Sequence, residues 1–362
     1  MGEALRVLVV GWAAWACRTP APTTISTGSP LRVYAPERSE SGPTCPRHVP
    51  PFPASAASTR RSSPSGRTSC RSNTYPDTHA QYAIRAIEAG AHVFVEKPLA
   101  QTVADAQRVV DVAKAHGRKV MVGYILRVHP SWTRFVELAR TLGKPLVMRM
   151  NLNQQSIGAA WTWHCNLMQS LSPLVDCGVH YVDIMCQMSG ARPVRVHGIG
   201  ARLADDVKVP NYGHLHVEFD DGSVGWYEAG WGSMMSEVAF FVTDVVGPKG
   251  SVSIVAADQS GDAAEGASKT ASCDINSRTK TSALRLHHAA LDANHALVRA
   301  DETFRMDDEP DHLALCRREQ ASLLAAIRDD LDLTDHMADA VNSLRIVLAA
   351  DQSIRSHLVV TL

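Results

Sequence analysis

The sequence predicts an α/β protein on two sheets: a doubly wound parallel sheet, then a second α/β domain whose open sheet is mostly antiparallel. Between Asn73 and Gly143, apolar periods of strand and helix type alternate, which is the rhythm of parallel βα units. After Lys144, short strands follow one another with turns between them. A length of 362 residues is enough for two separate cores.

In chain order, the first element is a buried strand beginning at Leu5 and running to Val10, closed by Gly11. Arg6 before the apolar residues 8–16 also imitates an export signal, a reading ranked second to the strand. Residues 18–71 hold eight arginines, no lysine and 10 of the 19 prolines, and no apolar period survives in them. Loop or disorder is the expectation there. From Asn73 the pattern is regular. Helices fall at 77–89, 103–116 and around 132–139, stopped by Gly90, Gly117 and Gly143, with Thr102 capping the second. Strands lie between them at 92–95 and 119–124.

Further strands fall at 147–152, 194–202, 214–219, 224–229, 239–246 and 251–255, with Asp220-Asp221-Gly222 as a hairpin turn. A long helix is expected near 171–188, residues 256–307 read as loop-rich, and helices at 311–329 and 338–357 close the chain. The expected division is 1–128 for the parallel domain and 129–362 for the second, its last helices packing back.

Composition excludes several classes. Hydrophobic content of 45% with 20% charged residues is that of a globular protein. A net charge of -1 gives no reason to expect nucleic acid, and no apolar run is long enough for a membrane span. Eight cysteines form no C-x-x-C pair, so no metal is expected, and reduced thiols point to the cytoplasm.

Two clusters carry chemistry. The strand 92–95 runs into Glu96-Lys97-Pro98, which delivers a cation to the carboxyl edge of a parallel sheet, where such folds bind ligands. In the long helix, Asp176, His180 and Asp183 stand at i, i+4 and i+7, one polar stripe on an otherwise apolar helix. Such a stripe is paired or functional, because unpaired buried charge is costly.

With Thr74-Tyr75-Pro76-Asp77-Thr78-His79, Gly123-Tyr124 and Arg127 added, in that order and spacing, the sequence resembles the glucose–fructose oxidoreductase/inositol dehydrogenase (Gfo/Idh/MocA) family across about four-fifths of the chain. The resemblance implies a Rossmann domain holding NAD or NADP, and a second domain whose open sheet joins homo-oligomers. It places Lys97, Asp176 and His180 at the reacting carbon of a small polyhydroxylated substrate. Gly11, Thr74, Tyr75, Pro76, His79, Glu96, Lys97 and Arg127 fall at the cofactor. Hydride transfer from a carbinol needs a base for the hydroxyl proton, and a histidine near its usual pKa of ~6.5 suits that role. An ammonium stabilises the alkoxide, and a carboxylate orients the histidine or holds a substrate hydroxyl.

One motif is missing. The family needs a glycine-rich turn after its first strand so that backbone N–H groups reach the pyrophosphate. Here Gly11 is followed by Trp12-Ala13-Ala14-Trp15-Ala16. Read with a one-nucleotide shift, each Trp-Ala pair contains a glycine codon, and the codons permit G-[L/M/V]-G-x-[L/M/V]-G. The shifted codons of 28–38 permit an apolar second strand, with the native frame resuming near Ser72. A compensated frameshift is the expected origin of residues 12–71. The alternative is a divergent N-terminus on a noncatalytic, cofactor-deficient relative with a binding or regulatory role.

Overall fold

The computed structural model describes residues 7–10, 33–34, 69–72, 76–235, 242–255 and 281–362. Five strands form one parallel sheet: β1 (Val7–Val10), β2 (Val33–Tyr34), β3 (Ser69–Ser72), β4 (His92–Glu96) and β5 (Val120–Gly123), in the order β2-β3-β1-β4-β5. Strands β2 and β3 correct the expectation of loop across 18–71. They pair in register, Val33 beside Ser69 and Val7 beside Ser69. Two- and four-residue strands are too short to print a period in sequence; backbone pairing holds them. The other residues of 12–68, and the turn after β1, lie outside the described residues.

Helices α1 (Pro76–Glu88) and α2 (Val103–Ala115) follow the expected bounds closely, and the Thr102 side chain accepts the Asp105 N–H as the cap of α2. After β5 come a single 3-10 turn (Ile125–Val128) and α3 (Pro130–Thr141). A nine-stranded sheet then forms from β6 (Val147–Gln155), β7 (Pro193–Ala201), β8 (Tyr212–Phe219), β9 (Val224–Gly232), β10 (Thr243–Gly247), β11 (Gly250–Val255), β12 (Ala283–His288), β13 (Glu302–Arg305) and β14 (Val360–Thr361). Its order is β13-β12-β11-β10-β6-β9-β8-β7-β14, antiparallel except where β6 meets β9. Strands β12 and β13 correct the loop-rich reading of 256–307; they are short, and polar residues interrupt their alternation. Residues 236–241, where the strand expected at 239–246 would begin, lie outside the described residues.

Helix α4 (Gly158–Leu167) is a further correction. Its apolar residues ring the helix instead of forming a stripe, so no 3.6 period marks it. Helices α5 (Pro173–Ser189) and α7 (Thr334–Ser356) pack on each other and on one face of the nine-stranded sheet. Helix α6 (His312–Arg328) turns back to lie against β4 and β5. No helix among the described residues is long and apolar enough to cross a membrane.

Where α7 crosses β7 the backbones nearly touch. A Cβ on Gly198 would lie 2.4 Å from the carbonyl oxygen of Ala350, which as main chain cannot turn aside. Gly198→Ala is expected to cost about 1–3 kcal/mol by overpacking, read as a lower melting temperature by circular dichroism.

Candidate active site

The parallel sheet and helix α5 meet at one ion pair. Lys97, just past the carboxyl end of β4, donates from Nζ to Asp176 Oδ1 at 2.9 Å and to the Asp176 carbonyl at 2.8 Å. The two side chains keep 22% and 18% exposure, so they sit deep in a cleft that water still enters. Burial alone would lower the Lys97 pKa, but the Asp176 carboxylate, with Cys177 and Glu96 adding to it, makes the net shift upward. The same pair holds Asp176 below its usual value against the opposing effect of burial. Both groups are therefore charged at neutral pH.

One turn along α5 stands His180, edge-on to Tyr124 with ring centroids 5.8 Å apart. Its Nδ1 is buried and has no hydrogen-bond partner among the described residues. Burial, then the Lys97 ammonium, lowers its pKa to about 3, with Asp176 opposing. The ordinary value near 6.5 expected from sequence is thus corrected: His180 is a neutral imidazole throughout the physiological range. It can accept a proton from a substrate hydroxyl only as the charge around it changes.

The third member of the stripe is structural. Asp183, fully buried, takes two hydrogen bonds from Arg127, from Nε at 2.8 Å and from Nη2 at 2.6 Å. Arg127 also reaches Asp339 Oδ2 at 2.7 Å and His336 Nδ1 at 3.2 Å. With Nε and Nη2 committed to Asp183 and Asp339, Arg127 braces α5 and α7 beside the site. His336 is neutral, lowered to about 3 by burial and then Arg127, and its Nε2 accepts the Val122 N–H.

Of the other expected cofactor residues, Glu96 ends β4 immediately before Lys97, and Pro76 opens α1. His79 is buried, and its Nδ1 donates to the carbonyl of Pro98 at 2.8 Å, so it supports the Lys97 loop from below. Gly11, Thr74 and Tyr75 lie outside the described residues. Sequence reading missed the contribution of the last helices. The spacing of His336, Asp339 and Ser343, i, i+3 and i+7 on α7, carried the signal of a polar face; Ser343 bonds the Tyr124 hydroxyl at 2.7 Å. His312 at the start of α6 also acts on the charge of His180, and no sequence signal marks it. Among the described residues no group of His, Cys, Asp or Glu could hold a metal.

Two family models match the chain. One, described as an oxidoreductase family with an NAD-binding Rossmann fold, covers residues 69–124, and the GFO/IDH/MocA C-terminal domain covers 138–253. The scyllo-inositol 2-dehydrogenase (NAD(+)) of Bacillus subtilis is 29% identical over 191 residues, 50% of this chain and 53% of that one. Inositol 2-dehydrogenase 3 of Saccharopolyspora erythraea is 34% identical over 30% of this chain and 31% of its own. The chain thus matches about half the length, or less, of these curated relatives. Among solved structures, aldose-aldose oxidoreductase from Caulobacter crescentus complexed with glycerol aligns at TM-score 0.65 and 19% identity, covering 99% of this chain and 100% of that one. Scyllo-inositol dehydrogenase from Lactobacillus casei aligns at 0.64 and 15%, covering 99% of both. Likeness at these identities establishes the fold alone.

If Arg127 is the brace of α5, removing it strands Asp183 without a counter-charge. Arg127→Ala is expected to cost roughly 3–5 kcal/mol, measured by urea unfolding. Asp183→Asn, which removes the stranded charge, should recover part of that loss when added to Arg127→Ala.

Proposed function

The chain belongs to the Gfo/Idh/MocA oxidoreductase family, and on that premise we propose that it moves a hydride between NAD or NADP and a carbinol or ketone carbon of a sugar, polyol or cyclitol. The observation that carries the reading is the set at the carboxyl edge of the parallel sheet: a committed Lys97–Asp176 pair beside a neutral His180 whose buried Nδ1 has no hydrogen-bond partner among the described residues. The inositol dehydrogenases among the relatives support the substrate class.

The described residues fit the nicotinamide end of such a cofactor. The Glu96-Lys97-Pro98 loop and His180 line the cleft where parallel sheets bind dinucleotides. The bound cofactor supplies the hydride acceptor or donor. Lys97 supplies positive charge to an oxygen that becomes an alkoxide, His180 takes the hydroxyl proton, and Asp176 fixes the ammonium in place.

Self-association through the open sheet is part of the proposal. Val224, Val147 and Val246 lie opposite one another on β9, β6 and β10 and are each about two-fifths exposed, an apolar row across three strands. A division of the chain near residues 128 and 129, and a cytoplasmic location, complete the reading. The latter is supported by Cys165, Cys177, Cys186 and Cys316, which are unbridged among the described residues.

The kinetic test uses a chain whose glycine turn has been restored, assayed on inositols and aldoses. His180→Ala and Lys97→Ala should each lose roughly 10²–10⁴ in kcat. His180→Ala should melt normally and Lys97→Ala at a lowered temperature, because it strands the Asp176 carboxylate. Asp176→Asn should lose less, with a rise in KM if the carboxylate also holds substrate. Full turnover in His180→Ala would remove the catalytic assignment.

The chain with Trp12 and Trp15 in place should bind cofactor poorly, as followed by NADH and NADPH fluorescence titration. Tight binding by that chain would overturn the frameshift reading. Weak binding by the restored chain would favour a noncatalytic relative.

A further inference from the structure

Behind Asp176, three side chains decide where one thiol hydrogen can go. Gln154 of β6 and Trp231 of β9 are cross-strand partners, so both leave the same face of the sheet, the face on which α5 packs. Gln154 is 6% exposed and Trp231 is fully buried. The indole N–H of Trp231 lies 2.6 Å from Gln154 Oε1. An indole nitrogen can only donate, so the orientation of the Gln154 amide is fixed with its carbonyl oxygen toward Trp231.

That oxygen takes a second donor from α5. Cys177 Sγ stands 3.4 Å from Gln154 Oε1 and 3.7 Å from Asp176 Oδ2. A carbonyl oxygen and an ionised carboxylate both accept and cannot donate. The sulfur between them therefore carries its hydrogen and has one bond to give. Asp176 is held ionised by Lys97, whose ammonium occupies Oδ1 at 2.9 Å. Among the described residues, the Cys177 sulfur is the hydrogen-bonding contact of the other oxygen, Oδ2.

The indole that sets the Gln154 amide is itself held in place. Its ring lies flat on the His164 imidazole of α4, with centroids 4.1 Å apart and planes 5° from parallel. His164 Nδ1 is bonded to Ser156 Oγ at 2.7 Å, and the Ser156 N–H donates to the Gly232 carbonyl at 3.1 Å. On the main chain, the Trp231 N–H donates to the Asn211 carbonyl at 2.9 Å, and the Trp231 carbonyl accepts from Asn211 Nδ2 at 2.7 Å. Turning the Gln154 amide over would set its NH2 against the indole N–H and the thiol, donor against donor.

We propose that Gln154 is a positioning residue for the substrate: it draws the Cys177 hydrogen onto its carbonyl and keeps Asp176 Oδ2 open as the acceptor of a substrate hydroxyl. Asp176 then divides its oxygens, Oδ1 for the Lys97 ammonium and Oδ2 for the polyol. Charge favours the carboxylate as partner of the thiol, while the shorter contact favours the carbonyl. Without Gln154 the hydrogen turns to Asp176, and an incoming hydroxyl must displace it. The part played by the substrate rests on the proposed reaction; the choice of acceptor by the thiol does not.

Infrared spectra of the full chain without cofactor read the S–H stretch, which falls in frequency as the acceptor strengthens. The Cys177 band is the one that Cys177→Ala removes. Asp176→Asn alone should leave that band in place, because the hydrogen lies on Gln154. Gln154→Leu combined with Trp231→Phe removes the amide acceptor and the indole donor together, so neither is stranded. In that double variant the band should move to lower frequency, and adding Asp176→Asn should reverse the move. With turnover established in the chain carrying the restored glycine turn, the double variant should raise KM about 3–10-fold with kcat little changed. Adding Cys177→Ala, which removes the competing hydrogen, should bring KM back; a merely structural role would lower the melting temperature and leave KM raised. A wild-type band that shifts in Asp176→Asn overturns the proposal, as does a chain with no S–H band assignable to Cys177. So does a raised KM that Cys177→Ala leaves unchanged. If the restored chain turns over no substrate, the proposed reaction fails, while the infrared result still decides where the hydrogen lies.

Discussion

Helix α5 is held by two ion pairs made along one stripe. Asp176 meets Lys97 from the end of β4, and seven residues on, Asp183 meets Arg127 from the turn after β5. On its other sides the helix is apolar and buried against the nine-stranded sheet and α7. The helix therefore cannot rotate or slide without stranding a charge in a dry interior. Pairs of this kind add little net stability, since desolvation offsets their attraction. What they supply is register: the carboxyl end of β4 meets Asp176, and His180 stands one turn along α5.

The same burial that makes the pairs decisive sets the charge state of each group. Lys97 and Asp176 stay ionised because each is the other's partner. His180 has no partner for its Nδ1 among the described residues, and burial beside Lys97 leaves it neutral. A neutral imidazole lowered to about 3 is a weaker base than a free histidine. In the proposed reaction, proton transfer to it becomes favourable when the developing alkoxide offsets the Lys97 charge, which would tie the base to the cation.

The last two helices complete the site from behind. Helix α7 brings His336, Asp339 and Ser343 to Val122, Arg127 and Tyr124, while α6 lies against β4 and β5 and its His312 acts on the charge of His180. Residues more than 200 positions away in sequence thus fix the aim of Val122, Tyr124 and Arg127. This arrangement makes the cleft a joint product of both sheets.

The sequence by itself determined the βα rhythm from Asn73, the cap at Thr102, the α5 stripe and the Glu96-Lys97-Pro98 edge, because each is written in local spacing that backbone geometry reads directly. It also marked Lys97, Asp176 and His180 through a resemblance that the family models bear out at the level of the fold. As written it left no trace of β3, β12 or α4, whose short or all-round apolar runs carry no period, and β2 was reached only through the shifted codons of 28–38. Only the tertiary structure decided that Arg127 braces Asp183, that His180 is neutral, and that Gln154 meets Cys177 behind Asp176. Those outcomes depend on desolvation and on partners distant in sequence, and neither is encoded in the spacing of neighbouring residues.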